Sequence, residues 1–413
     1  MPFKLPSYND LNNTQKTIIN QLNSEKFDKL AVIGGPGTGK TIIALQAVAM
    51  LAQTGKKCAF LMYNKHLKKF VKDAAKVAEI DVKNIEIETY LSWFWNKIKT
   101  MGISDPKLLQ SQNFVYNIEE LERQFQLFDP NKIEEETYDY IFVDEAQDVQ
   151  DGLIKYFAKF ARKILVTFDD LQKIGNEYSE NDTDEKYEHS NILVDLEMGD
   201  RFFDLIENYR NSVQNEMVAK LFQTSYETND MTLKKVTSNR HSQKARIVHT
   251  EKTGRDAVQL FADFVLERYD KSRSVGVFIN TFDDNCKEYY DVFDGKFKEF
   301  CQQKNCNYIY KKNGKVENVT STKTNMVGNA LFLLSSKSCK GLEFDDVYIL
   351  TSGCTLKNFE DRNLMYVNCT RAKDRINFLV INAEDTNEIN ILLEKNQLIF
   401  ETYDLDAEED NLL

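Results

Sequence analysis

The 413-residue chain carries 53 Lys and Arg against 65 Asp and Glu, a formal net charge of −12, with 42% hydrophobic and 29% charged residues. That length suits two or three ordinary domains, and the balance is that of a globular chain rather than a disordered one. No apolar run is long enough to cross a bilayer and the first ten residues lack the apolar core of a secretory signal, so no membrane partner is expected. The seven cysteines form no CxxC pair and the four histidines are widely spaced, which points to reduced thiols in a cytoplasm and away from a disulfide or zinc framework.

Strand-like and helix-like stretches alternate along the chain, which predicts an α/β protein with mainly parallel sheets. Residues 29–33 are an apolar run leading into a glycine loop, and 41–53 read as a helix. Residues 58–62, 85–88, 138–143 and 164–167 are further buried-strand candidates. A second series has strands at 246–249, 275–279, 330–334, 347–351 and 376–381, with helical periodicity at 254–269 and 286–303. The expected organisation is one lobe at 1–200, with a small helical insertion at about 96–136, a second at 201–403, and a solvated acidic tail at 404–413.

Chemistry concentrates first in Gly34-Gly35-Pro36-Gly37-Thr38-Gly39-Lys40-Thr41, which follows a strand and opens a helix as a P-loop must. Glycines let backbone N–H groups curl around phosphate oxygens, and the helix N-terminus adds partial positive charge. Lys40 is expected at the β and γ phosphates of ATP, and Thr41 on Mg²⁺. The apolar strand at 138–143 then ends in Asp144-Glu145-Ala146-Gln147-Asp148. Asp144 is placed to hold Mg²⁺, and Glu145 to orient and deprotonate the attacking water.

Together with further motifs in order, this sequence resembles the superfamily 1 helicases of the UvrD/Rep/PcrA type. Leu11-Asn12-Asn13-Thr14-Gln15 is similar to their Q motif, which implies that Gln15 reads the adenine edge. Met62-Tyr63-Asn64-Lys65 and Thr89-Tyr90-Leu91-Ser92 resemble the two strand-end motifs that touch the nucleic-acid backbone, implicating Asn64, Lys65 and Thr89. Asp169-Asp170-Leu171-Gln172 resembles the third motif, with Gln172 sensing the γ-phosphate. Leu205-Ile206-Glu207-Asn208-Tyr209-Arg210 is close to the fourth, by which Tyr209 stacks on adenine and Arg210 contacts the γ-phosphate. Lys340-Gly341-Leu342-Glu343-Phe344 is similar to the fifth, with Glu343 near the ribose and Ser335 at the strand. Tyr366-Val367-Asn368-Cys369-Thr370-Arg371-Ala372 matches the sixth, making Arg371 a second arginine finger. The likeness implies two RecA-like P-loop lobes with mainly parallel sheets and the ATP site in the cleft between them.

Some positions depart from the pattern. Phe168 stands where the family has glycine, and no tryptophan follows Gln172. Trp93 and Trp95 flank Phe94 just after Thr89, where they could stack on bases or form a buried aromatic cluster. The large inserted domains of processive relatives have no room here.

The net charge of −12 runs against a nucleic-acid partner, but basic residues cluster at Lys65, Lys68, Lys69, Lys72 and Lys76 and again from Lys234 and Lys235 through Arg240, Lys244 and Arg246. The expected function is a nucleic-acid-dependent ATP hydrolase. It translocates on single-stranded DNA rather than RNA, 3′ to 5′ by the resemblance, with limited unwinding. The other reading is a nucleic-acid-sensing switch that controls a protein partner such as a nuclease, by analogy with bacterial antiviral defence modules.

Overall fold

The computed structural model describes residues 6–22, 24, 27–63, 68, 72, 84–102, 115–169, 191–199, 201–222, 237–279, 285–312, 315–318, 330–382 and 387–410. Asn64, Lys65, Gln172, Lys234 and Lys235 therefore lie outside the described residues. Packing divides the chain into two units, Met1–Glu207 and Asn208–Leu413.

The first unit is built on six strands: β1 (Lys29–Gly34), β2 (Cys58–Met62), β3 (Ile85–Thr89), β4 (Tyr138–Val143), β5 (Ala161–Phe168) and β6 (Phe202–Leu205). They lie in the order β3-β2-β4-β5-β1-β6, and every pair is parallel. Parallel strands buried on both faces need apolar side chains at every position, and β2, read Cys-Ala-Phe-Leu-Met, is buried throughout. Alternate residues feed two cores. Ala31, Leu61, Ile141 and Val166 face one, while Val32, Phe60, Phe142 and Leu165 face the other. The second core is closed by α1 (Asn13–Leu22) and α2 (Lys40–Gln53), which supply Ile18, Ile19, Ile43 and Val48.

The first core takes α3 (Tyr90–Thr100), α4 (Ile118–Leu127), α5 (Pro130–Glu135), α6 (Ile154–Ala158) and α7 (Asn191–Asp195). Trp93 sits at its centre with no exposed surface, edge-on to Phe157 and Phe160 at 5.5 and 5.8 Å between centroids. The tryptophan therefore belongs to a buried aromatic cluster, where it has no face for a base.

The second unit carries β7 (Ala245–Thr250), β8 (Val275–Ile279), β9 (Tyr308–Lys312), β10 (Lys315–Asn318), β11 (Leu331–Ser335), β12 (Phe344–Leu350), β13 (Ala372–Ile381) and β14 (Phe400–Asp404). Their order is β10-β9-β11-β8-β12-β13-β7-β14, parallel except for the β9–β10 pair. Its helices are α8 (Val213–Leu221), α9 (Gly254–Glu267), α10 (Asn285–Lys304), α11 (Phe359–Thr370), α12 (Glu388–Lys395) and α13 (Leu405–Asp410).

Two expected boundaries shift. A cut at 200/201 would sever β6 from β1, its parallel partner, so contacts place the division after Glu207. The C-terminal stretch is also less free than its charge suggests. Leu405 is buried, and the Asp406 carboxylate accepts from the Thr250 hydroxyl at 2.9 Å and the Glu251 N–H at 2.7 Å.

Candidate nucleotide-binding site

In the first unit the glycine loop joins β1 to α2, between the C-terminal end of an inner strand and a helix N-terminus. Two loop glycines adopt left-handed backbone, Gly37 at φ 76° and Gly39 at φ 92°, where a side chain would be strained. Gly34 is required for a different reason. A Cβ there would meet the Thr38 hydroxyl at 2.7 Å and Leu205 at 2.9 Å. Thr38 braces the loop by donating to the Gly35 carbonyl at 2.8 Å. Lys40 is buried, its ammonium donating to the carbonyls of Gly34 at 2.6 Å and Gly35 at 3.0 Å. The lysine thus curls back into the loop, where phosphate oxygens would compete for the same hydrogens.

Gln15 is drawn onto the loop as well. Its amide oxygen accepts from the Asn12 N–H at 3.1 Å, and its NH₂ lies 3.4 Å from the Thr38 carbonyl. The reciprocal bond from the Gln15 N–H to Asn12 Oδ1, 2.8 Å, completes a capping box at the start of α1.

Asp144 follows β4 and is wholly buried. One carboxylate oxygen accepts from the Thr41 hydroxyl at 2.7 Å and the other from the Thr167 hydroxyl at 2.5 Å. Burial and the neighbouring Glu145 charge push its pKa up to about 6, against the pull of both hydroxyls and of Lys40. A carboxylate so desolvated and so close to a second acid suits a divalent cation. Among the described residues no group of three or more His, Cys, Asp or Glu could cage a metal. One hydroxyl and one carboxylate are the sparse protein contribution that Mg²⁺ accepts when phosphates and water complete its shell. Thr41 and Asp144 therefore fit that ion.

Glu145 adopts the left-handed conformation, φ 55° and ψ 46°, which costs about 1–2 kcal/mol for a residue with a Cβ. Gln147 holds its carboxylate, donating at 2.5 Å, and accepts the Asp169 N–H at 3.2 Å. Strain kept in place by such a bond marks a position where orientation matters. Neither Thr167 nor Gln147 was singled out as a site residue from sequence. The available signal for Thr167 was a hydroxyl inside the otherwise apolar end of β5.

In the second unit, Arg210 and Glu343 form an ion pair at 2.5 Å, with Lys373 at 3.5 Å from the other carboxylate oxygen. Desolvation opposes ionisation of Glu343, but Arg210, Lys373 and Arg371 outweigh it and hold its pKa below the usual carboxylate value. Arg371 is buried at the end of α11, bonded to the Val367 carbonyl at 3.0 Å and the Thr370 hydroxyl at 3.1 Å. Tyr209 is half exposed. The sequence motifs thus bring Arg210, Glu343 and Arg371 into one charged cluster.

The family profile for the Schlafen group 3 DNA/RNA helicase domain matches residues 29–262, more than half of the chain. The chain belongs to this family. A second profile, the viral superfamily 1 RNA helicase core domain, matches residues 283–380. A solved structure titled "The structure of PRRSV helicase" is similar over 91% of this chain, with 12% sequence identity and a TM-score of 0.42. The chain spans 56% of that helicase. No curated protein matches it in sequence. The first profile is that of a helicase domain, and the second, shorter match is to the core of superfamily 1 viral RNA helicases.

The described residues expected at the nucleic acid are buried or bonded within the protein. Thr89 is buried at the end of β3 as the residue capping α3. The Ser335 hydroxyl donates to Ser338 at 2.6 Å. Lys68 pairs with Glu88 at 2.5 Å. In the second-unit basic stretch Arg240 pairs with Asp374 and donates to the Arg210 carbonyl at 3.1 Å, while Arg246 pairs with Glu401 at 3.4 Å. These arginines are paired within their own unit. Among the described residues, no helix is long and apolar enough to cross a membrane.

Proposed function

We propose that the chain is a Mg²⁺-dependent ATPase stimulated by single-stranded nucleic acid, which translocates on single-stranded DNA. The observation that carries this reading is the Thr41–Asp144 contact beneath the P-loop, with Glu145 held in a strained conformation one residue on. Lys40 exchanges its carbonyl partners for the β and γ phosphates. Thr41 and Asp144 hold Mg²⁺, which when bound neutralises charge on those phosphates. Glu145 orients the attacking water and accepts its proton, and Gln172 senses the γ-phosphate. Arg210 and Arg371 supply positive charge for the phosphoryl transition state, Arg210 trading Glu343 for phosphate. Fingers of this type are worth about a thousandfold or more in rate. Gln15 and Tyr209 take the adenine, and Glu343, once released, the ribose. Asn64, Lys65, Thr89 and Ser335 are assigned to the strand, and the 3′-to-5′ direction rests on likeness to UvrD, Rep and PcrA.

The internal pairing of Lys68 and Arg240 favours a second reading, an ATPase switch that controls a protein partner such as a nuclease. Steady-state hydrolysis with and without single-stranded DNA and RNA separates the two, alongside displacement of streptavidin from 3′- and 5′-biotinylated strands. Strand-stimulated turnover with end-specific displacement supports the translocase. Turnover indifferent to strands, or stimulated without displacement, refutes it. Lys40→Ala should abolish turnover, and Glu145→Gln should do so while still binding a fluorescent ATP analogue. Near-normal hydrolysis by Glu145→Gln would remove its assignment as base.

A further inference from the structure

We infer that Asn211 is the positioning residue that holds Arg210 and Arg371 as one device, an inference that rests on the catalytic reading of those arginines. Asn211 follows Arg210 directly and is almost wholly buried. Its side-chain NH₂ donates to the carbonyl of Thr370 at 3.0 Å and to that of Ala372 at 2.8 Å, the two carbonyls that bracket Arg371. Its amide oxygen accepts from Asn208 at 3.3 Å. All the bonding capacity facing the Arg371 segment is therefore used, and only an amide supplies two donors in that fork.

The backbone of Asn211 is equally fixed. Its N–H and that of Arg210 both donate to Asn208 Oδ1, at 3.1 and 3.0 Å, and its carbonyl accepts the Ser238 hydroxyl at 2.6 Å. Asn215, one helical turn along, adds a second amide to the Ala372 carbonyl at 3.2 Å. On the far side, the Arg371 carbonyl accepts the Phe344 N–H at 3.0 Å, and the neighbouring Glu343 returns to Arg210 through the ion pair. The contacts close a ring that runs from Arg210 to Asn211, across to the chain around Arg371, on to Phe344 and Glu343, and back to Arg210. When Arg210 leaves Glu343 for a phosphate, the buried Asn211 amide still joins the two arginine segments, alongside the exposed Arg240 guanidinium, which donates to the carbonyls of Arg210 at 3.1 Å and Lys373 at 3.2 Å. A buried amide bonded to two carbonyls has no slack, so a shift at either segment is transmitted to the other.

Asn211→Asp tests this directly, since it keeps the shape and turns the donor fork into acceptors that repel both carbonyls. Asn211→Ser keeps a single donor and serves as the milder variant if the aspartate variant does not fold. In the full-length protein, kcat for ATP should fall about a hundredfold in Asn211→Asp, the cost of misplacing a catalytic group by about 1 Å. The serine variant should fall between it and the parent. KM and binding of a fluorescent ATP analogue should stay within a few-fold, because the nucleotide-binding loop is untouched. In a double-mutant cycle, Asn211→Asp should add little to the paired variant Arg210→Ala/Arg371→Ala, since with both guanidiniums gone Asn211 has none left to position. A merely structural asparagine would lower the melting temperature and multiply with that paired variant instead. A parental kcat in both Asn211 variants beside a slow Arg210→Ala overturns the proposal alone. Parental rates in Arg210→Ala and Arg371→Ala overturn the catalytic reading of the arginines and the proposal with it.

Discussion

Replacing Thr167 by valine keeps volume and β-propensity at the end of β5 and deletes one hydroxyl, the donor 2.5 Å from the buried Asp144 carboxylate. A hydrogen bond to a charged group contributes about 1.5–3 kcal/mol. Taking the lower figure, its loss raises the Asp144 pKa by about one unit. The parent value of about 6 then becomes about 7. At pH 6 the ionised fraction falls from about a half to about a tenth, and at pH 8 it falls only by about a tenth. Mg²⁺ requires the carboxylate, so its apparent affinity should weaken about fivefold at pH 6 and barely at pH 8. The assay is a Mg²⁺ titration of a fluorescent ATP analogue on the full-length protein at both pH values, with Thr167→Ser restoring the parent curve. Equal Mg²⁺ affinity for Thr167→Val and the parent at pH 6 would refute the claim that this hydroxyl keeps Asp144 ionised. A loss equal at both pH values would refute the protonation argument and leave a change of shape.

Asp144 also sets a slope in stability. Its folded pKa, raised to about 6, means that the folded state binds more protons than the unfolded one between about pH 4 and pH 6, so stability falls as pH rises through that window. Asp144→Asn should remove the slope and raise the melting temperature above pH 6 in thermal scans across pH; an unchanged profile would refute the buried-charge assignment. Gly39→Ala places a Cβ 2.8 Å from Gln15 Nε2 on a left-handed backbone, so it should cost about 1–2 kcal/mol in urea unfolding and weaken binding of the ATP analogue. Trp93→Ala empties the centre of the aromatic cluster and should destabilise by about 3–5 kcal/mol, read by the same unfolding curves; a cost under about 1 kcal/mol would mean that the cluster collapses onto the space.

The buried strands of both sheets were legible because a parallel strand covered on two faces must be apolar at each position, as β2 and β8 are. The P-loop and the carboxylates after β4 were legible because they are contiguous, and local backbone demands select their residue types. Two edge strands escaped, although β3, at the opposite edge of the first sheet, was read at 85–88. β6 and β14 bury one side or less, and their mixed sequences, Phe-Phe-Asp-Leu and Phe-Glu-Thr-Tyr-Asp, carry no period a sequence can show. The internal partner of Arg240 was hidden for a related reason. That partner, Asp374, lies 134 residues away, and only folding shows that the pair is made. Distance along the chain, 23 residues for Thr167 and Asp144 and 159 for Asn211 and Thr370, hid those pairs as well. Residue type announces that a group can donate a hydrogen bond, whereas the acceptor it meets is decided by which strands and helix ends the tertiary fold sets side by side.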